Sequence, residues 1–154
     1  QSLEDALDWM AKEGAKLETG GADRPDGVRS GYFIAPTIFS NVSNDMTIAR
    51  EEIFGPVLSL IPYDTVEEAI HIANDTSYGL SGTVWTSNQE RGIEVARRVR
   101  AGNYGVNIFS LDVAAPFGGF KESGIGRQLG PQGLDGYFEI KAIQLSPLDM
   151  AQQG

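Results

Sequence analysis

A chain of 154 residues, 41% hydrophobic and 21% charged, is long enough for one domain with a core of its own. Its net charge of -9, with no basic run longer than Arg97-Arg98, speaks against a nucleic-acid partner and against an anionic membrane surface. Cysteine is absent, so these residues hold no disulfide, thiolate metal site or thiol nucleophile, and His71 is the one histidine.

Ser2-Leu3-Glu4-Asp5 opens like a helix N-terminus, and Leu3, Ala6, Leu7 and Met10 recur at helical spacing, predicting an amphipathic helix that runs to Gly14. Lys16 to Glu18 is a short strand candidate, followed by the exposed loop Gly20 to Gly27. Tyr32 to Phe39 is rich in β formers, although Pro36 cannot donate to a ladder and implies an edge or an interruption. Val57 to Tyr63 is an apolar strand candidate, and Thr65-Val66-Glu67-Glu68 is a capping box for a helix reaching Asn74, which places His71 on a helix face. Gly82 to Thr86 is a further strand. Ser87-Asn88-Gln89-Glu90 repeats the box, ahead of a helix whose buried face is marked by Ile93, Ala96 and Val99. Gly105 to Phe109 closes the series. Strands alternating with capped helices predict an α/β fold with an open, mostly parallel sheet and flanking helices.

Ser110 to Gly133 reads as a long glycine-rich loop, and Tyr137 to Leu145 alternates like a half-exposed strand with no neighbour in sequence. Pairing with another subunit is one way to satisfy such a strand. No run reaches the roughly 20 apolar residues that span a bilayer, and the N-terminus carries no basic-then-apolar signal, so a cytoplasmic protein is expected.

Two segments carry candidate chemistry. In Glu51-Glu52-Ile53-Phe54-Gly55-Pro56-Val57, strand alternation would point Glu52 and Phe54 to one side and Ile53 to a core, turning Glu51 away. A carboxylate beside an aromatic suits a nucleoside, because its oxygens accept from a ribose diol while the ring packs on the attached heterocycle. An exposed acid pair ahead of a buried turn has the same spacing. The run Pro116-Phe117-Gly118-Gly119-Phe120-Lys121-Glu122-Ser123-Gly124-Ile125-Gly126-Arg127 resembles a phosphate cradle only in composition. Phe120 stands where a Walker loop needs glycine, Glu122 where it needs serine or threonine, and no G-x-G-x-x-G follows a first strand.

Together with Asn74-Asp75-Thr76-Ser77-Tyr78-Gly79-Leu80-Ser81, these two segments resemble, in order, the C-terminal part of the NAD(P)-dependent aldehyde dehydrogenase superfamily, from Leu3 to Leu145. The resemblance implies a partial catalytic domain over residues 1–140 and an oligomerisation strand and tail over residues 141–154, with a dimer or tetramer in the intact enzyme. In that family a cysteine thiolate attacks the aldehyde, hydride passes to the nicotinamide, and a glutamate activates the hydrolytic water. The family's cysteine lies further ahead of the Glu-Glu-Ile-Phe-Gly-Pro segment than the 50 residues that precede Glu51 here. The expectation is therefore a piece of an enzyme lacking its nucleophile, its base and its dinucleotide-binding domain, inactive alone. By motif position, Glu52 is the expected ligand of the nicotinamide ribose and Phe54 the aromatic beside the nicotinamide of NAD or NADP. Phe117 is expected at the substrate entrance and Phe109 in the variable wall, Phe109 to Val113, of a tunnel for a small-molecule aldehyde. Asp112 in that wall is either a contact for a cationic aldehyde or a surface acid, and Asn107 is expected at the active-site floor. The alternative is a stand-alone binding or assembly module that keeps the fold without catalysis.

Overall fold

The computed structural model describes Trp9 and residues 12–145. Trp9, Lys12 and Glu13 are helical, and the remainder of the expected first helix lies outside the described residues. Strand β1, Lys16–Thr19, runs antiparallel to β2, Thr37–Ser40, with a register shift between Leu17 and Thr19. β2 then pairs in parallel with β3, Val57–Ser59. Between β2 and β3 lies the single-turn helix α1, Thr47–Arg50. A second, two-stranded parallel sheet joins β4, Ser81–Val84, to β5, Asn103–Val106. Helix α2, Val66–Asn74, connects the sheets, and α3, Gln89–Arg98, crosses between β4 and β5.

The architecture is α/β with mostly parallel pairing, but the expected single sheet is divided, because β3 and β4 do not pair. The predicted strands also shorten. Tyr32 to Pro36 stays outside β2, as the missing N–H of Pro36 requires, while the Thr37 N–H donates to Pro56 O at 2.8 Å. β5 stops at Val106 because Asn107 turns into a left-handed conformation with φ 57°. Its amide takes over the ladder, Oδ1 accepting from Thr86 N–H and Nδ2 donating to Thr86 O, each at 2.7 Å.

Both helix caps form. Thr65 Oγ1 accepts from Glu68 N–H at 3.1 Å, while Glu68 Oε2 reaches back one residue beyond the cap to accept from Asp64 N–H at 2.7 Å, a variant of the capping box. On α3 the cap is Asn88, accepting from Arg91 N–H, one residue later than the serine-led reading. The buried stripe of α3 also differs from expectation. Gly92 is its buried residue, with Val95, Ala96 and Val99 half-buried and Ile93 exposed. A β-carbon at Gly92 would lie 2.6 Å from Val106 Cγ1, so only glycine lets the helix sit this close to β5.

Phe39, Val42 and Ile48 form the core cluster, with Trp9, Leu17, Ile53, Val57 and Ile61 packed around it. Thr37 is buried among them and satisfied, its hydroxyl donating to Ala35 O and accepting from Gly21 N–H. Pro131–Tyr137 is a 3₁₀ helix, and residues 138–145 form no strand; all are exposed, Ile140 at 98%. The half-exposed terminal strand is thus absent from the described residues, since no other strand lies beside this segment to accept its backbone groups.

Candidate functional site

The acid and aromatic segment is shaped from behind by the core. The Glu13 carboxylate accepts from both the N–H and the hydroxyl of Thr47, at 2.8 and 2.6 Å, fixing the start of α1. Ile48 and Ile53 pin the segment inward on either side of the two acids. Ile53 therefore turns to the core as alternation predicts. Phe54 reaches the outside differently, through a left-handed backbone with φ 56°, and its ring is 92% exposed. Such a conformation costs a side-chain-bearing residue about 1–2 kcal/mol, and the exposed ring gains almost no packing to offset it.

Glu52 and Phe54 line one hollow of 280 Å³, together with Glu51, Gly55 and Ser59. Glu52 also borders a larger cleft of 670 Å³ that runs on to Tyr78, Leu80, Tyr104 and Glu122. No hydrogen bond or ion pair among the described residues occupies the Glu52 carboxylate. Burial pushes the Tyr104 phenol above its ordinary value.

The other two segments lock onto each other. Phe120 N–H and Gly102 N–H both donate to Gly79 O, Ser123 Oγ accepts from Gly79 N–H at 3.0 Å, and Glu122 N–H donates to Ser77 O. Lys121 Nζ donates to the carbonyls of Asn74 and Thr76, at 2.8 and 2.9 Å. This lysine is spent on backbone oxygens, which removes the last likeness to a phosphate loop. Arg127 donates to Gly119 O and stacks on Phe120 at 5.3 Å. The glycines are required by proximity: a β-carbon would lie 2.3 Å from Gly126 O on Gly118 and 2.5 Å from Ser123 Cβ on Gly119, and one on Gly102 would lie 1.6 Å from Gly118 O.

Phe117 is half-buried, pinned by paired backbone bonds to Gln128 at 2.7 Å, and lines a separate hollow of 480 Å³ with Leu80, Arg127 and Tyr137. Phe109 is 77% exposed on the loop after β5 and borders neither hollow. The structure brings Glu52 and Phe54 together and leaves Phe109 and Phe117 apart from them. Asp112 Oδ1 accepts from Ala114 N–H at 2.9 Å in an exposed turn, which makes it a loop-forming acid. Asn107 serves Thr86 with both amide atoms, a structural duty at the end of β4. Among the described residues no group of three or more histidines and acids is placed to hold a metal, and no helix is long and apolar enough to cross a membrane.

Sequence reading missed a junction on Asp75. Its carboxylate accepts from Arg50 at 2.6 Å and from Asn44 at 2.8 Å, and its carbonyl accepts from Arg50 as well. The Arg50 guanidinium holds the Asp75 carboxyl below its ordinary range, and Asp75 in turn raises the pKa of Arg50. The one signal in the sequence was an arginine directly ahead of the acid pair.

A model of the aldehyde dehydrogenase family matches residues 1–143. The chain belongs to the aldehyde dehydrogenase family. It is 52% identical over 143 residues to a 3-succinoylsemialdehyde-pyridine dehydrogenase from a Pseudomonas species, a match over 93% of this chain and 30% of that protein. An aldehyde dehydrogenase from Mycobacterium tuberculosis, solved in complex with NAD+, superposes with a TM-score of 0.84 at 52% identity, over 88% of this chain and 28% of that one. A mutant of aldehyde dehydrogenase C from Pseudomonas syringae, complexed with NAD+ and octanal, gives 0.87 at 49% identity, over 92% of this chain and 29% of that one. The chain thus spans about 30% of the length of the aldehyde dehydrogenases it matches.

Proposed function

We propose that this chain forms the nicotinamide-holding side of an NAD(P)-dependent aldehyde dehydrogenase that oxidises an aldehyde to a carboxylic acid. The observation that carries the reading is Phe54, held exposed in a strained backbone beside a Glu52 carboxylate that has no partner among the described residues, both in one hollow. The Glu52 oxygens accept from the hydroxyls of the nicotinamide ribose, and the Phe54 ring packs beside the nicotinamide. A hollow of 280 Å³ suits this end of a dinucleotide and not the whole of it. When bound, the nicotinamide supplies the hydride acceptor. The chain's own part is orientation, which makes a transfer between two bound groups effectively unimolecular. Phe117 and Phe109 contribute apolar wall to the aldehyde's approach. Solved relatives holding NAD+ support a nicotinamide dinucleotide, NAD or NADP, as the cofactor.

With no cysteine among the 154 residues, the nucleophile belongs to polypeptide outside them, and the chain alone does not oxidise aldehydes. Residues 141–154 supply an oligomerisation strand and a tail, the strand adding to the sheet of a second subunit, a role supported by the exposed Ile143 and Leu145 beside the exposed Ile140. A cytoplasmic location completes the reading.

The test is NADH formation with an aldehyde and NAD, first with the purified chain and then with the chain joined to the coding sequence preceding Gln1. No turnover in the first case and turnover in the second is the expected result. Turnover by the chain alone contradicts it, and an inert joined protein favours a non-catalytic module.

A further inference from the structure

Three consecutive carbonyls at the C-terminal end of α2 are each taken by a cation from another part of the chain. Arg50 donates to Asp75 O while pairing with the Asp75 carboxylate, and Lys121 donates to Asn74 O and Thr76 O on either side. The end of a helix gathers unsatisfied carbonyls and partial negative charge, so both cations are favourably placed there. Arg50 stands two residues before Glu52, and Lys121 four residues after Phe117. One helix end is therefore the joint between the Glu52 and Phe54 segment and the segment that bears Phe117. The Arg50 and Asp75 side chains are 37% and 46% exposed, and ion pairs so open to solvent contribute little to stability.

Resting on the proposed function, we infer that Arg50 and Lys121 are positioning residues, which set the distance between the cofactor-holding and substrate-lining segments by clamping the end of α2. Hydride transfer is sensitive to such distances, a misplacement of about 1 Å costing about 100-fold in rate.

The experiment uses the active enzyme that carries this chain, with Arg50→Met, Arg50→Lys, Lys121→Met and the double Met variant. Single-turnover NADH formation is measured with ordinary and 1-deuterated aldehyde. Arg50→Met and Lys121→Met are expected to slow the hydride step about 10- to 100-fold and to bring out or enlarge the deuterium effect, with KM for NAD changing less than about threefold. Arg50→Lys keeps the charge but not the two-pronged contact, and should recover only part of the rate. The double variant should lose about as much as the worse single one, since both release the same joint. Hydride rates within about twofold of the parent, with only a lower melting temperature, overturn the inference. Glu52→Gln measured alongside separates the failures: slow Glu52→Gln with unaffected Arg50→Met removes the joint alone, whereas an unaffected Glu52→Gln removes the cofactor-side reading as well.

Discussion

Phe54 offers a perturbation in which stability and activity should move in opposite directions. Its backbone lies at φ 56° and its ring is 92% exposed. Phe54→Ala removes the ring and keeps the strain, so it should leave stability almost unchanged. Phe54→Gly removes both. Relief of the left-handed conformation contributes about 1–2 kcal/mol, and the greater chain entropy of glycine offsets about 0.5–1 kcal/mol of it. The glycine variant should therefore be more stable than the alanine variant, by about 0.75 kcal/mol at the centre of these ranges. Urea titrations read this as a higher midpoint for Phe54→Gly at an unchanged slope. In the active enzyme both variants should lose hydride-transfer rate, because the ring that orients the nicotinamide is gone from each. An alanine variant as stable as the glycine variant would mean that the backbone strain is not there; a fully active glycine variant would mean that the strain serves no site.

The interlocked segments give sharper steric and polar tests. Gly102→Ala places a methyl 1.6 Å from Gly118 O, and such overpacking against backbone should cost at least about 1–3 kcal/mol in unfolding free energy; a neutral result refutes the packing of the double glycine. Asn107→Ala removes two bonds to Thr86 and a residue suited to left-handed φ, so a loss of about 2 kcal/mol is expected by chemical denaturation, and Asn107→Asp should recover part of it through the retained acceptor. For Asp75, which faces Arg50, Asn44 and His71, the lowered carboxyl pKa sets the sign: the pair's contribution is present above the ordinary value of 3.8 and is lost as pH falls through the lowered one. Asp75→Asn should accordingly melt below the parent at about pH 7 and together with it at about pH 2, and a gap that persists in acid contradicts the pairing.

Local chemistry made parts of this fold legible. Thr65 and Glu68 announced the start of α2 because a capping box is written within four residues, and Ile53 announced the core because alternation survives over so short a stretch. The separation of β3 from β4 was not legible, since which strands pair depends on contacts between distant segments and not on the strands' own patterns. Ile93 misled because glycine carries no hydrophobic signal, yet Gly92 is the residue that admits α3 to β5. At the candidate site, Glu52 and Phe54 were readable as residue types, but the left-handed turn that presents Phe54 was not, phenylalanine having no preference for it. Lys121 escaped because its partners are backbone carbonyls, which every residue has and no pattern marks, and Arg50 because its partner Asp75, bonded through both carbonyl and carboxylate, lies 25 residues away in sequence.

The most direct test of the cofactor-holding role is the pre-steady-state burst of NADH in the active enzyme carrying Glu52→Gln. Loss of one charge-assisted hydrogen bond, about 1.5–3 kcal/mol, should slow the burst about 10- to 150-fold while NAD affinity changes far less. A burst of unchanged rate would contradict the assignment of Glu52 to the nicotinamide ribose.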